Sequence, residues 1–76
     1  MISSEIDSVV FTVAQTSWRK VAMIIVEAAE RLGPALPDGD PGYQIIAQRV
    51  EALVQAGRLV SQGELSRWRH SEVRLP

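Results

Sequence analysis

Apolar residues along this chain recur at spacings of three and four until about residue 54, and near the end at a spacing of two. That change of period marks where helices give way to strands. Ile6, Val9, Val10 and Val13 share one face of a first helix, which Ser3 or Ser4 can cap and for which Ser4 with Asp7 gives a short capping box. The run Val9-Val10-Phe11-Thr12-Val13 is rich in strand formers, and a strand competes there. The spacing favours the helix.

Thr16 and Ser17 break the pattern and are expected to cap a second helix. Its inward stripe reads Trp18, Val21, Ala22, Ile25, Ala29 and Leu32, with Trp18 as a core anchor. Met23, Ile24 and Val26 widen the stripe until the helix is apolar nearly all round, which points to a central position or a partner on its second side. Glu27 and Arg31 stand four apart, at the spacing of a surface ion pair. Gly33-Pro34 ends the helix, the glycine as its C-cap and the proline as a residue that cannot continue it.

The stretch PALPDGDPG at 34–42 is a loop. A third helix follows, capped by Asp40 with Pro41 in the first turn, where a missing N–H costs nothing. Tyr43, Ile46, Val50, Leu53 and Val54 form its apolar face, and Gly57 supplies the stop. The rest reads as a β-hairpin. With Trp68, Arg69 and His70 at the tip, Leu65 faces Val73, Gly63 faces Leu75, and Leu59, Leu65, Val73 and Leu75 share the inner face. A tighter turn at Gln62-Gly63 is the other register. The expected fold is a small α+β, winged-helix-like domain of residues 1–76, three helices followed by a C-terminal hairpin.

At 76 residues the chain is one domain's length, and at 46% hydrophobic it has enough apolar residues for a core. Cysteine is absent, so there is no disulfide and no thiolate chemistry. The longest apolar run, Val21 to Val26, is too short to cross a bilayer, and the opening MISSEID is acidic where a secretory signal is basic. The reading is a cytoplasmic, bacterial-style protein. Net charge is −1, without the basic surplus that phosphate binding usually brings. The distribution is uneven: residues 58–76 carry Arg58, Arg67, Arg69 and Arg74 against Glu64 and Glu72, so the hairpin is net positive and the remainder net negative.

Arg67, Trp68, Arg69 and His70 at the tip are candidate contacts. Exposed arginines with an aromatic can pair with phosphates and stack on bases. The competing account folds Trp68 back over the third helix and leaves the arginines as a solvated surface. Against nucleic acid, the third helix carries only Arg49 and Glu51, which cancel. Asp38 and Asp40 are too few for a calcium loop, which needs more oxygen ligands and a closing glutamate. His70 is the sole histidine, so neither a zinc set nor a catalytic triad can be argued. No cofactor, metal site or small-molecule ligand is expected.

The segments WRKVA (18–22), IAQRVEALVQAGRL (46–59), QGEL (62–65) and SEVRLP (71–76) together resemble an uncharacterised bacterial family, domain of unknown function 3658. The resemblance runs from about Ile6 to Leu75, and Ser71 to Leu75 is its most specific part. In that family the domain often follows a separate N-terminal domain that this sequence lacks. The resemblance brings no activity, substrate or cofactor. It implies that Trp18, Arg49, Gly57, Gly63, Glu72 and Arg74 are positions on which the fold or a partner depends. Glu72 and Arg74 alternate with Val73, so they are expected on the outer face, to pair with Arg49 or Glu51 or to meet a partner.

The functional expectation is a non-enzymatic interaction module that binds a protein partner or forms a homodimer. The alternative is a weak nucleic-acid-binding domain of the helix-turn-helix type, working through a basic wing. An enzyme ranks last, because a domain this small has little room for a cleft holding paired titratable groups.

Overall fold

The structure, a computed structural model, describes residues 3–76. Met1 and Ile2 of the acidic opening stretch lie outside the described residues. Three helices, α1 (Ser3–Val13), α2 (Val21–Leu32) and α3 (Asp40–Gln55), are joined by strands β1 (Arg19–Lys20), β2 (Val60–Gly63) and β3 (Ser71–Arg74). Short 3-10 turns occupy Gly33–Ala35 and Trp68–His70. The fold is α+β, three helices with a small antiparallel sheet in the order β1-β3-β2.

Helix wins over strand in α1, which buries Ile6, Val10 and Val13. The second helix differs from expectation at its start. Arg19 lies opposite Val73 and Lys20 opposite Glu72, so these residues form a strand and the helix begins only at Val21. No side chain caps it, and Lys20 has extended φ and ψ of −62° and 132°. The backbone of residues 19–20 finds its partners in β3, a long-range pairing that removes any role for a Ser17 cap. Trp18 is drawn out of the core with it and is 37% exposed. The buried face of α2 is Val21, Ile24, Ile25 and Ala28, so Ile24 belongs to the core and not to a second face.

The third helix buries Ile46, Val50 and Leu53 as expected, with Tyr43 and Val54 half-buried. Asp40 is already inside the helix and makes no capping bond; Gly39 precedes it. Gly42 is buried because the chain passes close by: a methyl group there would overlap the Pro37 carbonyl. At the other end Gly57 (φ 77°) donates to Val54 O at 3.0 Å, and Arg58 donates to Leu53 O at 2.9 Å. These two bonds are a Schellman stop, and they turn the chain toward β2.

The hairpin is present in a different register. Val60 pairs with Arg74, Ser61 with Val73, Gln62 with Glu72 and Gly63 with Ser71. Leu65 therefore does not face Val73; it is half-buried in the connection from Glu64 to His70. That connection is longer than a tight turn because it closes on itself twice, Arg67 donating to Glu64 O at 2.9 Å and His70 to Arg67 O at 2.7 Å. The slip from the expected register is four residues, an even number, which preserves the face of every side chain. Leu59 and Val73 accordingly remain inward and buried, while Leu75 is only half-buried, its N–H donating to Gln15 O at 2.8 Å.

Ile24, Ile25, Ile46, Val10, Val21, Val50 and Val73 are the largest fully buried side chains, so the core draws on all three helices and the central strand. Among the described residues no helix is long and apolar enough to cross a membrane.

Candidate interaction surface

The six residues singled out in the sequence divide into two groups. Arg67, Trp68, Arg69 and His70 sit in the connection between β2 and β3, whereas Glu72 and Arg74 lie on the outer face of β3. Trp68 is half-buried against the core, and its turn packs on α2 and β1 rather than over α3. The Arg69 guanidinium lies over the Trp68 ring, 4.6 Å from its centroid. Arg67 is open to solvent: its side chain is 66% exposed and 4.0 Å from a similarly exposed Glu64. His70 is exposed, as expected of a solvated loop residue.

On the outer face neither Glu72 nor Arg74 pairs with Arg49 or Glu51. Glu72 accepts from Gln62 Nε2 at 2.6 Å across the β2–β3 ladder. Arg74 lies over the Trp18 ring at 5.2 Å and donates to Leu75 O at 3.0 Å. Arg49 is committed elsewhere, its Nε and Nη2 each 2.9 Å from an oxygen of Asp7. That bidentate contact raises the pKa of Arg49 above its ordinary value.

A second fork fixes the start of α2. Arg19 donates through both terminal nitrogens to Glu27, at 2.8 and 3.0 Å, and also to Val13 O at 3.0 Å. Glu27 thus takes Arg19, not Arg31, as its hydrogen-bonded partner. The hydrogen bond from Arg19 holds the Glu27 carboxyl below its usual range, and the same bond raises the pKa of Arg19.

The exposed face of α2 carries Met23, 48% exposed, and Val26, 36% exposed. Beside Val26 opens a cleft of about 240 Å³ between the end of α2, the turn after it and the first residues of α3. Val26, Ala29 and Tyr43 supply apolar walls, and Glu30 and Asp38 supply the charge. Sequence reasoning missed this cleft. The signals available were the surplus apolar residues of α2 and the Pro/Gly-rich segment after it, but neither gives a cavity without the packing. Asp38 lines the cleft, and among the described residues no group of three or more His, Cys, Asp or Glu side chains is placed to hold a metal ion.

Compared with protein-family models, with curated proteins and with solved structures, the chain gives no match.

Proposed function

We propose that this chain is a non-enzymatic protein-association module that uses the exposed face of α2. The observation that carries the reading is the pairing of Met23 and Val26, three residues apart on one face and adjoining a cleft with apolar walls. Single exposed apolar side chains are ordinary, but a contiguous patch running into a concavity is the usual form of a contact site. The order helix, short strand, helix, helix, hairpin supports a winged-helix-like reading of the fold. The resemblance to the domain of unknown function 3658 family is carried in the same sense, as a shared fold without an assigned activity. The test is a photo-reactive amino acid at position 23 in the full chain within cells. A covalent adduct of defined mass that disappears with Val26→Asp supports the reading, and absence of any adduct removes it.

A second reading, weak nucleic-acid binding, is favoured by one feature: Arg67 is largely free of partners in a net positive segment. Against it, Arg58, Arg69 and Arg74 each lie over an aromatic ring of their own domain, Phe11, Trp68 and Trp18. Titration with duplex and single-stranded DNA at low salt decides the matter. Binding that falls steeply with salt and weakens with Arg67→Ala supports it; no binding at low salt excludes it.

A further inference from the structure

Opposite charges predominate at the two ends of α2, with exposed Arg31 the one basic residue in its last turn. At the C-terminal end, the lining of the cleft holds two carboxylates, Glu30 and Asp38, and no basic side chain. At the N-terminal end, the turn Trp68–His70 packs against α2 and against β1, the strand that leads directly into that helix. This end presents Arg67, Arg69 and Lys20, all exposed, against one exposed carboxylate, Glu64, 4.0 Å from Arg67. Exposed Met23 and Val26 lie between the two ends.

From this arrangement we infer that the partner of the α2 face is a second copy of the same chain. The inference rests on the association reading given above. Turning one copy by half a revolution about an axis near Met23 and Val26 sets the two α2 helices antiparallel. The basic turn of each then lies over the acidic cleft of the other, and the apolar residues of both are covered at the centre. Every contact occurs twice, as a closed isologous interface requires. A net charge of −1 adds little overall repulsion between the copies.

Size decides which residues must take part. The exposed surface is 4475 Å², and a standard interface of roughly 800 Å² per partner would use about a fifth of it. Met23 and Val26 cannot supply that area alone, so the basic turn and the cleft belong to the interface. Because its outer contacts are exposed charge pairs, the dimer is weak and salt-sensitive.

The test uses the complementarity. Sedimentation equilibrium of the full chain is expected to show a monomer–dimer equilibrium that shifts toward monomer as salt rises. R67E/R69E makes turn and cleft both acidic, and E30K/D38K makes both basic, so each variant alone should raise Kd by about tenfold or more. An equimolar mixture juxtaposes opposite charges at both contacts and should dimerise again to within about threefold of the unaltered chain. The four positions are exposed, and melting curves establish that each variant folds. If a double variant is unfolded, the single pair R67E and E30K gives the same test. A chain that stays monomeric at high micromolar concentration, or folded variants whose mixture stays monomeric, overturns the dimer. If position 23 still forms an adduct with another protein, the association reading survives that loss; if it forms none, both fall together.

Discussion

Asp7 of α1 and Arg49 of α3 lie 42 residues apart in sequence and meet as a two-pronged pair, both hydrogen bonds 2.9 Å long. The contact fastens the first helix to the third outside the apolar core. A planar guanidinium can satisfy both carboxylate oxygens at once, and an ammonium cannot. Arg49→Lys is therefore expected to melt below the unaltered chain despite conserving charge. The coupling between Asp7 and Arg49 appears in a double-mutant cycle with Asp7→Asn, Arg49→Gln and the double variant. Strict additivity of the melting shifts would show that the pair does not join the helices.

Glu27 gives the stability a pH dependence of known sign. Its carboxyl is held below its ordinary value of 4.5 by the hydrogen bond from Arg19. A depressed folded-state pKa stabilises the fold fully above the unfolded value and ceases to do so as pH falls through the folded value. Stability should thus decline as pH drops below about 4.5, and Glu27→Gln should flatten that decline while costing stability at neutral pH. The side chain is 39% exposed, so the effect is modest. Urea melts at neutral pH and at several values below 4.5 measure it, and identical acid limbs for both chains would refute it.

Val73 stands at the centre of the sheet, fully buried, whereas Leu75 is half-buried. Val73→Ala removes two buried methyl groups and leaves a cavity, a cost of about 2–3 kcal/mol. A core this small supplies only about 3–5 kcal/mol, so the variant should be partly unfolded at room temperature. Leu75→Ala should cost clearly less. Deleting Val73 to Pro76 should abolish the cooperative transition in a thermal melt.

Gly57 and Gly63 have similar positive φ angles, 77° and 83°, in different surroundings. An added Cβ at Gly57 meets open space, but at Gly63 it comes within 2.7 Å of the His70 carbonyl oxygen. Gly57→Ala should cost about 1–2 kcal/mol, the left-handed penalty alone. Gly63→Ala should cost more, since the β2–β3 ladder must also shift. Equal denaturant midpoints for the two variants would sink this account.

The helices were legible because their apolar spacing is regular, as in Ile46, Val50 and Leu53 of α3. Gly33 and Gly57 likewise marked the ends of α2 and α3. What escaped sequence reasoning depends on distant partners. Arg19 and Lys20 have no strand-like pattern of their own, and only β3 makes them one. The expected register buries Leu59, Leu65, Val73 and Leu75 together, but a connection closed by its own hydrogen bonds holds Leu65 outside the ladder. Of the candidate surface, the exposed arginine at position 67 could be read from the sequence. The cleft could not, because Val26 and Tyr43 line one cleft only when α2 packs on α3.

The central strand of the sheet is the last element in the chain, and it alone holds β1 and β2 together. During synthesis the helices emerge first, with Val73 still missing from the core that it shares with Ile24, Ile46 and Val50. No order of local events can close the sheet before Arg74 has left the ribosome, because Arg19 waits for a partner at Val73. Until β3 is released, any helices already formed lack the strand that closes their core, and their uncovered apolar residues are what a chaperone of apolar segments would bind.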